Sequence, residues 1–341
     1  MALEKFGIGI VGCGNISDTH ANAITHSEKG ALVSAFSRNE SKLNAFSKKY
    51  SINGFQSYQK FLEDPGLDVV SICTPSGTHL DYGKKAAEMG KHVITEKPIE
   101  ITTERGQALI NACQTCGVNL AIIYQNRFID DIIEMKKALE NEEIGKLIMA
   151  NASVRWFRSQ EYYNESDWRG TLKLDGGGIV INQSIHTIDL LQWFMGKVDS
   201  VFALTSNFTH QQIEAEDTAV ACLRFENGAM GVFEGSTSII PPQKRRIEIN
   251  GSTGTALLDG NQFVKLDKDQ NNTSAKQGEA SGAASPLDGM TFVNHQRQFD
   301  QIFSAFQNNE EPVVSGKESL KSLSIVEAIY RSAKNGNPVY L

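Results

Sequence analysis

The chain has 341 residues, 40% of them apolar and 21% charged, a length suited to about two domains and a composition suited to buried cores. Its 33 basic and 40 acidic side chains give a formal net charge of −7, which advertises no nucleic-acid surface. No stretch reaches the roughly 18 apolar residues of a membrane span, and the first residues lack the basic and apolar regions of a secretory leader, so a cytoplasmic protein is expected.

Phe6 to Val11 is an apolar run of strand length that feeds directly into Gly12-Cys13-Gly14-Asn15-Ile16-Ser17. This is G-x-G-x-x-S at a strand-to-helix junction, where Gly12 allows the tight turn and Gly14 lets the backbone approach a pyrophosphate. The N–H groups at the start of the following helix, around Asn15 and Ile16, would face that anion. Ser17 replaces the usual third glycine and is small enough to keep the helix close. A second strand, Ala31 to Phe36, ends in Ser37-Arg38-Asn39. A carboxylate here would bind the ribose 2′-hydroxyl of NAD, whereas serine and arginine suit a 2′-phosphate, so the expected cofactor is NADP or NAD, with NADP favoured.

Leu67 to Cys73 is a continuously apolar strand of the kind buried on both faces of a parallel sheet. It ends in Thr74-Pro75-Ser76, and His79 lies near the start of the next helix, Thr78 to Met89. A short buried strand, Val93 to Thr95, then leads into Glu96-Lys97-Pro98, followed by a helix from about Thr103 to Cys116 and a strand from Val118 to Tyr124. Strands alternating with helices in this way predict a doubly wound parallel sheet over residues 1–124. Gly12, Ser37, Arg38, Thr74, Pro75, His79, Glu96 and Lys97 would then share the edge beyond the strand ends, where such sheets bind ligands. Lys97 is the leading catalytic candidate.

The five cysteines suit reduced thiols. Cys113 and Cys116 form a C-x-x-C, but no second pair completes a zinc site, and the seven histidines show no H-x-x-x-H or H-E-x-x-H spacing; no metal is expected.

Residues 125–341 follow a different pattern. A helix from about Asp130 to Asn141 precedes strands at Lys146 to Phe157, Val198 to Asn207, Thr218 to Phe225, Ala229 to Ser238, Lys244 to Asn250 and Thr255 to Leu258. Asn227-Gly228 and Asn250-Gly251 are hairpin signals, so a mostly antiparallel open sheet carrying helices is expected, with a face for a subunit partner in a homodimer or homotetramer. Residues from about Asp267 to Asp288 are small and polar and read as a loop, and two closing helices run from Met290 to Gln307 and Glu318 to Lys334. In Asp175 to Gly196, three glycines lead to a helix on which Asn182, His186 and Asp189, at i, i+4 and i+7, would form one polar stripe.

These segments together resemble the glucose-fructose oxidoreductase, inositol dehydrogenase and MocA family of sugar dehydrogenases. The resemblance covers essentially the whole chain and is carried by GCGNIS, CTPSGTH, TEKP, GGGIVINQSIHTIDLLQWFMG, EDTAVACLRFENGAMGVFEGS and SLSIVEAIYRSAKNG. It implies an NAD(P)-dependent enzyme that moves hydride between nicotinamide and a secondary hydroxyl or ketone of a sugar, sugar acid, cyclitol or nucleotide sugar lying between the cofactor and the second domain. The family's lysine maps onto Lys97, which would stabilise alkoxide character, and its histidine onto His186, which would take the hydroxyl proton. Asp189 would orient that imidazole. Many members carry aspartate where this chain has Asn182, and an amide cannot take up a proton; asparagine here resembles members that oxidise nucleotide-linked amino sugars and uronates, as well as other, uncharacterised sugar dehydrogenases. Tyr124, Arg127, Trp168 and Arg169 are candidate substrate contacts, since aromatic and guanidinium groups suit sugar faces and anionic substituents. A non-catalytic NAD(P)-sensing protein and a redox-neutral enzyme with tightly held cofactor use the same fold.

Overall fold

The structure, a computed structural model, describes residues 5–267 and 291–341. The chain divides into two compact units, Met1–Gln125 with Thr291–Leu320, and Asn126–Met290 with Lys321–Leu341.

In the first unit the chain runs β1 (Phe6–Val11), α1 (Asn15–Thr25), β2 (Gly30–Phe36), α2 (Glu40–Tyr50), β3 (Asn53–Phe55), α3 (Tyr58–Leu62), β4 (Val69–Ile72), α4 (His79–Glu88), β5 (His92–Thr95), α5 (Thr103–Thr115) and β6 (Leu120–Ile122). The six strands form one parallel sheet in the order β3-β2-β1-β4-β5-β6, as in a dinucleotide-binding domain. Val11 pairs with both Phe36 and Ile72, Ile72 with Thr95, and Thr95 with Ile122. Five of the pairing strands therefore end level, and the residues that follow them are delivered to one edge. Ile8, Ile10, Val69 and Ile94 belong to a single buried core, completed by Phe299 and Phe303 from a later helix. Helix starts follow ordinary capping chemistry: Asn39 accepts from the Lys42 N–H, and Thr102 from that of Arg105.

The second unit contains α6 (Asp130–Glu140), β7 (Leu147–Arg155), α7 (Gln160–Asn164), α8 (Ile185–Met195), β8 (Val198–Ser206), β9 (Thr218–Phe225), β10 (Met230–Ser236), β11 (Arg246–Gly251), β12 (Gly254–Asp259) and β13 (Gln262–Asp267). Beyond residue 290 come α9 (Val293–Asn308), α10 (Gly316–Asn335) and β14 (Val339–Tyr340). Eight strands make a mixed, mostly antiparallel sheet in the order β13-β12-β11-β7-β10-β9-β8-β14, with β7 and β10 parallel. In β9, Ala219, Ala221, Leu223 and Phe225 are buried, while Val220, Cys222 and Arg224 are exposed: one sheet face is covered and the other open. On the open face Phe202, Leu204, Val220, Met230 and Met149 form an apolar run across adjacent strands.

The structure departs from the sequence expectations in several places. Asp175 to Gly196 is not one helix: Ile179–Gln183 forms a single π-helical turn, with the Ser184 N–H bonded to the Ile179 carbonyl, and α8 restarts at Ile185. A π turn holds an extra residue, so Asn182 does not continue the α-helical face of His186 and Asp189. The second hairpin turns at Ser252-Thr253, because Asn250 still pairs with Thr255. Strand β13 was not anticipated, and the loop expected after it lies almost wholly outside the described residues. No helix among the described residues is long and apolar enough to cross a membrane.

Candidate active site

At the sheet edge of the first unit, Gly12 donates its N–H to the Phe36 carbonyl and has φ +94°. A Cβ here would lie 2.9 Å from the Thr74 methyl and 3.1 Å from the Cys73 carbonyl oxygen, so only glycine fits without displacement. A Cβ on Gly14 would meet nothing within 4 Å, and Gly14 caps α1 with no side-chain acceptor. Space and unclaimed N–H groups thus coincide at the start of α1, including those of Asn15 and Ile16, as a pyrophosphate requires. The buried Ser17 hydroxyl donates to the Gly14 carbonyl, which accounts for serine in place of the third glycine. Beyond β2, Ser37 is buried and accepts from the Asn39 N–H, while Arg38 is exposed and makes no ion pair among the described residues.

Thr74 and Pro75 follow β4 at the same edge. His79 is fully buried, its ring nitrogens 3.0 Å from the Thr74 and Pro98 carbonyl oxygens, so its imidazole ties together the loops after β4 and β5. Glu96 turns inward. One carboxylate oxygen lies 2.8 Å from His20 Nε2 and 3.9 Å from His295 Nε2, and the other accepts the Lys97 N–H at 3.1 Å. Lys97 itself is half-buried. Burial opposes charge on both His20 and Glu96, but the neighbouring Cys73 and Glu96 outweigh it for His20, raising it to about 10, while the His20 contact holds Glu96 down at about 2. His295 is pushed down to about 4 by burial and by the charge on His20.

No metal was expected, yet His20, Glu96 and His295 bring one ligand atom each within 4.8 Å of one another. The 2.8 Å separation is that of a charge-assisted hydrogen bond, and all three residues are buried, so we read an acid–base cluster rather than a cation site. All five cysteines are free thiols; burial pushes Cys13 up to about 11 and Cys113 up to about 12, away from reactivity.

The cluster sets a pH dependence of stability. His20 is held above its unfolded value of about 6.5, so its contribution is complete below that pH and is lost as pH climbs toward 10. His295 works in the opposite sense: below pH of about 6.5 the unfolded chain takes up a proton that the folded one refuses, and stability falls toward pH 4. Urea midpoints should peak between roughly pH 6 and 7, and His295→Gln should flatten the acid limb; an unchanged acid limb would refute the linkage.

In the second unit, Gly176 to Gly178 bring the chain against Glu216, whose carboxylate accepts the Gly178 and Val180 N–H groups and the Tyr330 hydroxyl. A Cβ on Gly178 would fall 1.8 Å from the Glu216 carbonyl oxygen, so this approach needs glycine. Burial raises Glu216 above the usual carboxylate range despite these donors. The π turn so anchored presents Asn182, whose amide donates to both oxygens of buried Asp175 at 2.6 and 2.8 Å and accepts from Gln183 at 3.2 Å. Gln183 also donates to the Tyr162 hydroxyl and accepts from Arg158 at 3.3 Å. Arg158, in the segment just beyond β7, is buried, and its guanidinium lies 5.2 Å from the Trp156 ring centre and 5.5 Å from that of Tyr162. Arg169 lies 4.3 Å from the same Tyr162 ring and 5.8 Å from that of Trp168. Two guanidinium groups therefore converge on one tyrosine, beside the turn that carries Asn182.

His186 is half-buried on the first turn of α8. Asp189, one turn on, meets Arg127 in a two-point ion pair at 2.7 and 2.6 Å, both side chains 1% exposed, and accepts a third bond from Ser322. Arg127 also stacks 4.9 Å from the Trp193 ring centre. Two residues expected at substrate thus meet each other. Tyr124 is fully buried, its N–H bonded to Gln298. Sequence reading missed Arg158, Tyr162, Gln183, Asp175, Glu216, His20 and His295. The tandem acids at Glu216-Asp217 and the arginine that follows the expected strand Lys146 to Phe157 were visible signals, but His20 and Glu96 lie 76 residues apart and carry no local signature.

Strand order, glycine turn and the open helix start define a dinucleotide-binding oxidoreductase scaffold. Residues 6–124 match the oxidoreductase family with NAD-binding Rossmann fold, and residues 132–257 the GFO/IDH/MocA C-terminal domain. The chain is 34% identical to the WlbA dehydrogenase of Bordetella pertussis, a structure in complex with NADH and UDP-GlcNAcA; 99% of each chain is covered, with a TM-score of 0.87. It is 29% identical to myo-inositol 2-dehydrogenase of Thermotoga maritima over 74% of this chain and 75% of that one. It is 26% identical to D-xylose 1-dehydrogenase (NADP(+)) 2 of Haloferax volcanii over 98% and 99%. The protein belongs to the Gfo/Idh/MocA family and is an NAD(P)-binding oxidoreductase.

Proposed function

We propose that the protein interconverts a secondary hydroxyl and a ketone on a sugar that carries an anionic group, a nucleotide diphosphate or a carboxylate. The observation that carries this is the convergence of Arg158 and Arg169 on Tyr162, linked through Gln183 to Asn182. Arg169 is met at 3.3 Å by the exposed Glu165 carboxylate and donates to the Tyr162 carbonyl at 2.7 Å, so one of the two charges is already partly offset. The net positive charge that is left suits an anion, since guanidinium groups bind carboxylate and phosphate oxygens in pairs. The Bordetella pertussis relative in complex with UDP-GlcNAcA supports the same substrate class.

Gly12, Gly14 and the α1 N–H groups of Asn15 and Ile16 would hold the pyrophosphate, with Ser37 and Arg38 toward the adenosine ribose and Thr74, Pro75 and Lys97 toward the nicotinamide. When bound, the nicotinamide supplies the hydride acceptor for oxidation or the donor for reduction. His186 takes the hydroxyl proton on oxidation and returns it on reduction. Lys97 would hydrogen-bond a reacting substrate oxygen and stabilise the negative charge that grows on it. Asn182, held by Asp175, positions a substrate hydroxyl and carries no proton.

Absorbance of reduced nicotinamide, followed with NAD⁺ and NADP⁺ across inositols, free sugars, uronates and UDP-linked sugars and uronates, tests this. Turnover should be highest with the anionic sugars, and Arg169→Met should raise their KM about tenfold with kcat nearly kept, as expected when uniform binding is removed. Preference for inositols, with Arg169→Met silent, would sink the substrate class. Arg38→Ala should lower kcat/KM for NADP⁺ about tenfold and leave NAD⁺ within about twofold; equal effects on both would remove Arg38 from the choice.

The apolar run on the open sheet face suits a second copy of the chain. Light scattering should give a dimer or tetramer, and Leu204→Glu with Val220→Lys should give monomers; a wild-type monomer would contradict this.

A further inference from the structure

We propose that His20, Glu96 and His295 form a buried anchor that positions Lys97, an inference resting on Lys97 acting in the reaction. The cluster uses both oxygens of one carboxylate. Oε1 faces His20 Nε2 at 2.8 Å and His295 Nε2 at 3.9 Å, and Oε2 accepts the N–H of Lys97 at 3.1 Å. His20 is fixed at its other nitrogen by the Ser71 hydroxyl at 2.9 Å, and its ring packs edge-on against Phe299 at 5.3 Å. The Glu96 N–H continues the sheet by bonding the Ile72 carbonyl at 3.0 Å. The side chain before Lys97 is thereby held from α1, β4 and α9, and the backbone of Lys97 is held by that side chain.

Such a device is expensive as packing. Burying a carboxylate with two imidazoles desolvates all three, and apolar residues of similar volume often serve stability as well or better. Neither ring nitrogen of His295 has a hydrogen-bond partner among the described residues, although the ring is fully buried. With His295 held neutral by burial and by the charge on His20, the charge that keeps Glu96 ionised within the fold is that of His20. An ionised Glu96 is a stronger acceptor for the Lys97 N–H than a neutral one, and it confines the backbone from which the lysine side chain projects.

The test is a double-mutant cycle of Glu96→Gln with Lys97→Ala, using the most active sugar of the substrate panel and read as kcat, with fluorescence titration of reduced nicotinamide dinucleotide and urea midpoints alongside. If Glu96 acts through Lys97, Glu96→Gln lowers kcat about tenfold alone but less than about twofold in the Lys97→Ala background, with cofactor Kd within about threefold. Equal losses in both backgrounds, or loss of cofactor affinity or stability alone, would overturn the anchor. Should Glu96→Gln fail to fold, His20→Ala should lower kcat about tenfold and His20→Gln, whose amide can still donate to Glu96, should restore it to within about threefold. Equal defects in that pair would also overturn the anchor. Near-normal turnover in Lys97→Ala would instead remove Lys97 from the reaction, and the anchor's purpose with it.

Discussion

Lys97→Ala and His186→Ala are each expected to lower turnover by at least about a hundredfold while leaving affinity for the nucleotide within about threefold. Removing a positioned proton acceptor or an oxyanion-stabilising charge typically lowers the rate by about 10² to 10⁴, because each interaction is strongest in the transition state. The effect should fall on kcat. A loss confined to KM would mean that the side chain only binds ground-state substrate. Two further outcomes discriminate. Near-normal turnover in one variant removes that residue from the mechanism. Wild-type silence across the whole substrate panel, with cofactor bound normally, would favour an NAD(P)-sensing protein without turnover, since fold alone does not guarantee chemistry.

The first unit was legible because its signals are local. A buried parallel strand reads as an unbroken apolar run, and the turn after β1 needs glycine for a steric reason visible in its spacing. The predicted bounds of β1 and β9 match the observed ones residue for residue. What was not legible depends on distant partners. Nothing near His20 announces Glu96, and nothing near Gly178 announces the Glu216 carboxylate that claims its N–H just before the π turn. The i, i+4, i+7 spacing of Asn182, His186 and Asp189 suggested one polar stripe, but periodicity cannot see an inserted residue in the helical path. Short strands at sheet margins, β3 and β14, also escaped, since each gains its pairing from a neighbour and little from its own pattern.

Asp189 illustrates how such a stripe divides. Its carboxylate is saturated by two bonds from Arg127 and one from Ser322, all inside the second unit, so the residue is expected to govern stability more than substrate contact. Asp189→Asn should destabilise the protein by about 3–5 kcal/mol, because it leaves the Arg127 guanidinium buried without its counter-charge. Arg127→Met should have a similar effect from the other side. The double replacement, Asp189→Leu with Arg127→Met, should be well below the sum of the single effects, since two apolar side chains leave no charge stranded and the pair lies in direct contact. Urea unfolding of the three variants decides it. A loss under about 1 kcal/mol for Asp189→Asn would mean that the pair contributes no more than an exposed salt bridge. Because His186 stands one turn earlier on α8, the variants also separate two roles for Asp189. Reduced stability with kcat kept would make it a support of the helix, whereas a drop in kcat at temperatures where the fold is intact would make it the group that sets the orientation of the imidazole.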